Sequence, residues 1–172
     1  MDYIFRPPTE ADARAILGWR YRGIYAAYNA NPSRLATGLA SLLDPANRYF
    51  AIFAPDGTLS GFCCFGAEAR VPGGEYTEPP ALDVGLGMRP DLTGGGRGLK
   101  FFRAILAAGE CRYDPPRFRL TVATFNERAQ RVYERAGFCS CVTFRRGGER
   151  DALEFLLMLG PSLRHKGETS TT

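Results

Sequence analysis

Four of the chain's 20 glycines fall within five residues, in the run Thr93-Gly94-Gly95-Gly96-Arg97-Gly98. An apolar stretch, Ala81 to Met88, precedes them, and Leu99, Phe102, Ile105 and Leu106 recur at helical spacing after them. Glycine lets a backbone come close to a ligand with no Cβ in the way, and the first turn of a helix offers unpaired N–H groups at the positive end of its dipole. Strand, glycine loop and helix start, in that order, suit a phosphate or a pyrophosphate. The other reading of such a run is a tight connection that binds nothing. Two well-known phosphate loops do not fit: Gly98-Leu99-Lys100 lacks the Gly-Lys-Ser/Thr of a P-loop, and Leu99 stands where the dinucleotide fingerprint needs its third glycine.

The other chemistry-bearing residue types exclude more than they suggest. The single histidine, His165, lies near the C-terminus, which argues against a His-based triad. The five cysteines (Cys63, Cys64, Cys111, Cys139, Cys141) are odd in number and lack paired CxxC spacing. They read as reduced, mostly buried thiols, with no metal site and no disulfide scaffold expected. Lys100 and Lys166 are the only lysines, and the arginines are scattered among acids, so 22 basic against 18 acidic side chains read as a solvated surface and not as a nucleic-acid face.

Elements around the loop follow from periodicity and punctuation. With 172 residues, 45% of them hydrophobic, one compact domain is expected over 1–163, with a disordered tail over 164–172. No apolar run approaches the roughly 20 residues that span a bilayer, and the N-terminus MDYIFRPPTEAD has acids where a signal peptide needs an apolar stretch, so a soluble, cytoplasmic protein is expected. Tyr3 to Arg6 reads as a strand, and Thr9-Glu10-Ala11-Asp12 opens a helix carrying Ala13, Ile16, Leu17 and Arg20. An aromatic segment (Trp19, Tyr21, Tyr25, Tyr28) leads to a shorter helix over residues 33–43. Tyr49 to Phe53 and Leu59 to Gly66 form a hairpin, and the proline-rich stretch Glu68 to Pro80 is a surface loop. After the glycines, the helix is expected to stop at Gly109; Phe118, Leu120 and Val122 then alternate as a strand. Asn126 opens a helix that Gly137 ends, and Phe138 to Phe144 with Leu153 to Leu159 make a closing hairpin.

Two segments together resemble the GNAT acetyltransferase superfamily. The run Leu82-Asp83-Val84-Gly85-Leu86-Gly87-Met88 through Gly98 is similar to its acetyl-CoA motif, whose ending Arg/Gln-x-x-Gly-x-Gly/Ala maps onto Thr93 to Gly98, with Thr93 in place of Arg or Gln. About thirty residues on, Asn126, Ala129, Tyr133, Glu134, Ala136, Gly137 and Phe138 resemble the second motif, N-x-x-A-x-x-x-Y-E-x-x-G-F. The resemblance covers roughly residues 3–160.

That resemblance implies an α+β, αβα-layered fold: a mixed, mostly antiparallel sheet splayed at its fourth strand and flanked by about four helices. It implies acetyl-CoA in the gap, with pantetheine pairing to Leu86, Gly87 and Met88 and pyrophosphate on Thr93, Gly94, Gly95, Gly96, Arg97, Gly98 and Leu99. Arg97 or Arg89 would replace the donor lost at Thr93. Tyr133 is expected to protonate the departing sulfur, Asn126 to orient the cofactor arm or that tyrosine, and Asp83 to act as base through a water, unless it pairs with a neighbouring arginine. The implied reaction is direct acetyl transfer to a primary amine (a peptide N-terminus, a lysine or a small-molecule amine) in a ternary complex. The alternative is an inactive acyl-CoA-binding sensor. No nucleic-acid or membrane partner is expected, and the edge strands of the closing hairpin offer a surface for a homodimer.

Overall fold

A computed structural model describes residues 3–146 and 153–162 of the chain. The expected tail and the turn between the last two strands lie outside those residues. Seven strands, β1 (Ile4–Arg6), β2 (Tyr49–Phe53), β3 (Leu59–Phe65), β4 (Leu82–Met88), β5 (Arg117–Ala123), β6 (Cys139–Arg145) and β7 (Glu154–Pro161), form one open sheet in the order β1-β2-β3-β4-β5-β7-β6. All pairings are antiparallel except β4 with β5. Four α-helices flank it: α1 (Glu10–Gly18), α2 (Leu35–Leu43), α3 (Gly98–Tyr113) and α4 (Glu127–Arg135). The expected mixed, layered α+β architecture is therefore present.

Side-chain alternation assigns the helices to opposite faces of the sheet. Phe118, Leu120 and Val122 of β5, with Val84 of β4 and Met158 of β7, pack against Phe101, Phe102, Ile105 and Leu106 of α3 and Tyr133 of α4. The other face meets α1 and α2 through Ala13, Ile16 and Leu42, with Trp19, Leu59 and Phe62 partly buried around them. The first helix starts as expected: the Thr9 hydroxyl accepts from the Asp12 amide (3.3 Å) while the Asp12 carboxylate accepts from the Thr9 amide (2.8 Å).

Four expectations are corrected. Arg20 lies beyond α1, which ends at Gly18 because Trp19 turns extended. Gly109 does not stop α3: it is buried inside the helix, where a Cβ would come within 2.7 Å of the Phe65 ring and 3.0 Å of the Phe118 ring. The helix ends four residues later, where Asp114 adopts a left-handed conformation ahead of Pro115. Cys63 and Cys64 are buried, but Cys111, Cys139 and Cys141 are exposed, so the thiols are not mostly interior. The stretch after Glu68 is not merely a surface loop, because it closes over the α1/α2 face of the sheet and caps a buried charge.

That charge is Arg119, whose side chain is 1% exposed. Its Nε and Nη2 donate to the two carboxylate oxygens of Asp83 (2.6 and 3.0 Å). The loop supplies further acceptors in the carbonyls of Tyr76 (2.6 Å) and Pro79 (3.3 Å), and Arg70 donates to Asp83 from the solvent side (2.7 Å). Asp83 and Arg119 are also the last paired residues between β4 and β5, whose ladder consists of Leu82 with Phe118 and Asp83 with Arg119. Replacing Asp83 with Asn leaves a buried guanidinium without its counter-ion, and is expected to lower unfolding free energy by about 3–5 kcal/mol in urea titrations.

Candidate active site

Beyond Asp83 the two central strands diverge, and a crevice of about 800 Å³ opens between them. Its walls are β4, the glycine loop, the starts of α3 and α4, and an aromatic strap that includes Trp19, Tyr21, Tyr25 and Tyr28. Leu86, Gly87, Met88, Thr93, Gly94, Gly96, Gly98, Leu99, Asn126 and Tyr133 all line it, so both motif segments converge on one space. Gly95, Arg97 and Asp83 are not among the lining residues.

At the loop end, Gly94, Gly95 and Gly96 all have positive φ (85°, 58° and 75°), and a Cβ on any of them would meet no protein atom within 4 Å. These glycines are required by backbone conformation, and the space above them is open. Gly98 serves packing instead: a Cβ there would press on the Val132 side chain at 3.0 Å, so it lets α3 approach α4. Arg97, at the N-cap of α3, makes no side-chain cap bond, and the first intrahelical acceptor at this end is the Arg97 carbonyl, taken by Phe101 (3.1 Å). The amides of Gly98, Leu99 and Lys100 therefore precede the first helical bond and face the loop end of the crevice. Main-chain donors in this arrangement have the chemistry to hold an anion.

The side chains near it are engaged elsewhere. The Thr93 hydroxyl donates to the Pro90 carbonyl (2.7 Å), Arg89 pairs with Asp91 (2.7 and 2.9 Å), and Arg97 reaches the Leu92 carbonyl (3.4 Å). Arg89 and Arg97, the two arginines expected to replace the donor lost at Thr93, are thus both bonded to neighbouring groups of the loop. Sequence reading missed Arg128, Arg131 and Arg135, which line the crevice from α4. Their spacing on one helical face was available as a signal.

On β4, Arg89 donates to the Ser60 carbonyl (2.9 Å) and the Asp83 carbonyl accepts from Gly66 (2.8 Å). Main-chain groups alternate along a strand, so the odd-numbered residues from Asp83 to Arg89 turn theirs toward β3 and Leu86 and Met88 turn theirs toward the crevice. The Met88 carbonyl already accepts from the Tyr21 hydroxyl (2.8 Å). The amide and carbonyl of Leu86 and the amide of Met88 remain with no strand beside them. Gly87 differs from expectation here: its main chain faces β3, and its contribution is the missing Cβ, which would collide with the Phe62 ring.

The strap crosses from one half of the split sheet to the other. Tyr21 is tied to β4, and Tyr28 accepts from the Asn126 side-chain amide (3.0 Å) and packs on Phe125 at 5.6 Å between ring centroids. Burial, then neighbouring Tyr28, pushes the Tyr21 phenol up to about 12, so it stays a donor. The Asn126 side-chain oxygen caps α4 by accepting from the Ala129 amide (3.2 Å). Asn126 therefore orients Tyr28 and the helix, and makes no bond to Tyr133.

Tyr133 is buried against Phe102, ring centroids 4.7 Å apart, and its side chain makes no hydrogen bond among the described residues. Burial, then the nearby Tyr28 phenol, raises its pKa above the ordinary phenol value. A protonated phenol at the inner wall of an apolar crevice can donate but resists ionising. Asp83 is placed otherwise: 2% exposed, off the crevice wall, with both oxygens held by arginines. Its geometry is that of the arginine pairing, away from the space an incoming amine would enter. Burial pushes the Cys64 thiol up to about 12, which leaves no thiolate near neutrality. Among the described residues no group of His, Cys, Asp and Glu could hold a metal, and no helix is long and apolar enough to cross a membrane.

Gly96→Ala tests the main-chain anion site. A left-handed alanine costs about 1–2 kcal/mol in the loop. Its methyl also enters the open space above the amides, so adenosine diphosphate binding in calorimetry is expected to weaken by about tenfold or more.

Comparison with solved structures shows the same fold. AAC(6')-Ib in complex with ribostamycin and coenzyme A has a TM-score of 0.74 and 19% identity, covering 99% of this chain and 100% of that one. A spermidine N-acetyltransferase SpeG chimera from Vibrio cholerae and hSSAT gives 0.72 at 16% identity, covering 98% and 100%. A GNAT-family acetyltransferase from Bacillus anthracis gives 0.70 at 14%, covering 94% and 96%. No curated protein sequence matches the chain. The family model described as an acetyltransferase (GNAT) domain matches residues 2–139, and on that match the chain belongs to the GNAT acetyltransferase family.

Proposed function

We propose that this protein transfers an acetyl group from acetyl-CoA to a primary amine by direct attack in a ternary complex. The observation that carries the reading is the free edge of β4 beside the glycine loop: an amide-bearing chain can add to Leu86 and Met88 as a further strand while a diphosphate sits on the α3 amides. Family membership and the coenzyme A held by AAC(6')-Ib support that choice of donor. The coenzyme, when bound, supplies an acetyl thioester as electrophile.

The chain's own residues do the rest. The Met88 amide donates to the thioester oxygen as negative charge develops on it, from a position fixed by the β3 ladder. Tyr133 holds a proton at its hydroxyl for the departing sulfur, and its raised pKa keeps that proton available. Tyr21 and Tyr28 brace the strap over the reaction space. Asp83 is not assigned the base; its role is to hold Arg119 at the fork of the strands. Deprotonation of the ammonium is left to solvent in the open crevice.

Tyr133→Phe is expected to lower kcat by about 100-fold, the low end of general-acid effects, while leaving the acetyl-CoA dissociation constant within about twofold. Coenzyme release assayed with a thiol reagent reads the first quantity and calorimetry the second. An unchanged kcat removes Tyr133 as the acid, and saturable acetyl-CoA binding with no release across an amine panel identifies a sensor instead. A phenol with a raised pKa stays protonated beyond the ordinary value of about 10, so Tyr133 should impose no falling limb on the rate between about pH 8 and 10.

A further inference from the structure

Met88 presents two main-chain groups to the crevice, an amide and a carbonyl. In an extended residue these lie on the same edge of the strand, so whatever holds the Met88 carbonyl sits beside the amide that would receive the thioester oxygen. The Tyr21 hydroxyl holds it, at 2.8 Å, from 67 residues away in the chain. A carbonyl only accepts, so the Tyr21 proton is committed to Met88 and the phenol oxygen is left with its acceptor capacity. Donating to Met88 also polarises the hydroxyl and makes that oxygen the better acceptor. Tyr21 lines the crevice, and its segment leaves the end of α1, so it reaches the edge of β4 from the face of the sheet opposite α3. The proposed donor is seated at the α3 end, which leaves the Tyr21 side to the acceptor.

Both the main chain and the ring of Tyr21 are clamped in that place. The Asn29 side chain accepts from the Tyr21 amide (2.7 Å) and donates to the Tyr21 carbonyl (3.2 Å), closing residues 21–29 into a loop. The Tyr28 ring stands edge-on to the Tyr21 ring, 6.3 Å between centroids, and Tyr28 is itself tied to Asn126. We infer that Tyr21 seats the acceptor: its hydroxyl oxygen accepts an N–H of the attacking amine while its proton stays on the Met88 carbonyl. The inference rests on the acyl-transfer reading above and deepens it by naming the group that orients the nucleophile. As the nitrogen lone pair bonds to the thioester carbon, the carbonyl π electrons move onto the oxygen beside the Met88 amide, and the nitrogen gains positive charge. Its N–H groups become stronger donors at that moment, so a bond to a fixed oxygen tightens in the transition state. Tyr21 takes no proton; the nitrogen gives its proton to solvent.

Tyr21→Phe in the full-length protein keeps the ring and removes the hydroxyl. With saturating benzylamine, glycinamide or spermidine as acceptor, kcat read by coenzyme release is expected to fall by about tenfold to 100-fold, the size of one hydrogen bond to a charged group. The acetyl-CoA dissociation constant in calorimetry should stay within about twofold, because Tyr21 touches the acceptor and not the coenzyme. Replacing Tyr21 with 3-fluorotyrosine separates an acceptor from a mere tether of the strap: the more acidic phenol donates better to Met88 and accepts worse from nitrogen. This replacement is expected to lower kcat by about twofold or more. A kcat that is unchanged or raised with 3-fluorotyrosine identifies a tether and overturns the inference, as does an unchanged kcat in Tyr21→Phe; both results leave acyl transfer standing. If the unmodified protein releases coenzyme with no amine, the acyl-transfer reading fails and the role of Tyr21 falls with it.

Discussion

A buried ion pair at the fork of the sheet governs the rest of the molecule. Asp83 and Arg119 face each other on the last rung joining β4 to β5, and their side chains meet in two hydrogen bonds just where the main-chain ladder gives out. Buried charge of this kind is tolerated only when every polar group is satisfied, and here the Tyr76 and Pro79 carbonyls and Arg70 complete the set. Below the pair the sheet is continuous; above it the strands part, and polar main chain that would normally be paired is left facing a crevice.

Every other feature of the site elaborates that split. Residues of β4 bonded to β3 keep the strand rigid, while Leu86 and Met88 present unpaired groups to the gap. The glycine loop brings α3 back to the mouth of the gap through three consecutive left-handed residues. On the far wall, α4 turns Tyr133 inward against Phe102. The strap spans the opening, fastened to one half by Tyr21 and to the other by Tyr28. A site assembled from main chain and fixed rings is pre-organised, because few long side chains must be ordered when a ligand arrives.

The charges divide with the architecture. Arginines of α4 gather on the side where polyanionic phosphates would sit, and the opposite side is nearly free of ionised groups among the described residues.

Local sequence settled what local physics controls. Thr9 and Asp12 dictated where α1 begins, Asn126 and Gly137 bounded α4, and the glycine run marked a left-handed turn between β4 and α3, since capping bonds and positive φ are decided within a few residues. Gly109 misled for the opposite reason: whether a glycine ends a helix or admits two phenyl rings depends on strands far away in the chain. Asp83 carried the same ambiguity, because nothing near it in sequence reveals Arg119, 36 residues on. Only the tertiary structure could assign the carboxylate to a buried pair and tie Asn126 to Tyr28 across 98 residues, because each of those outcomes is a contact between segments that local propensity does not bring together.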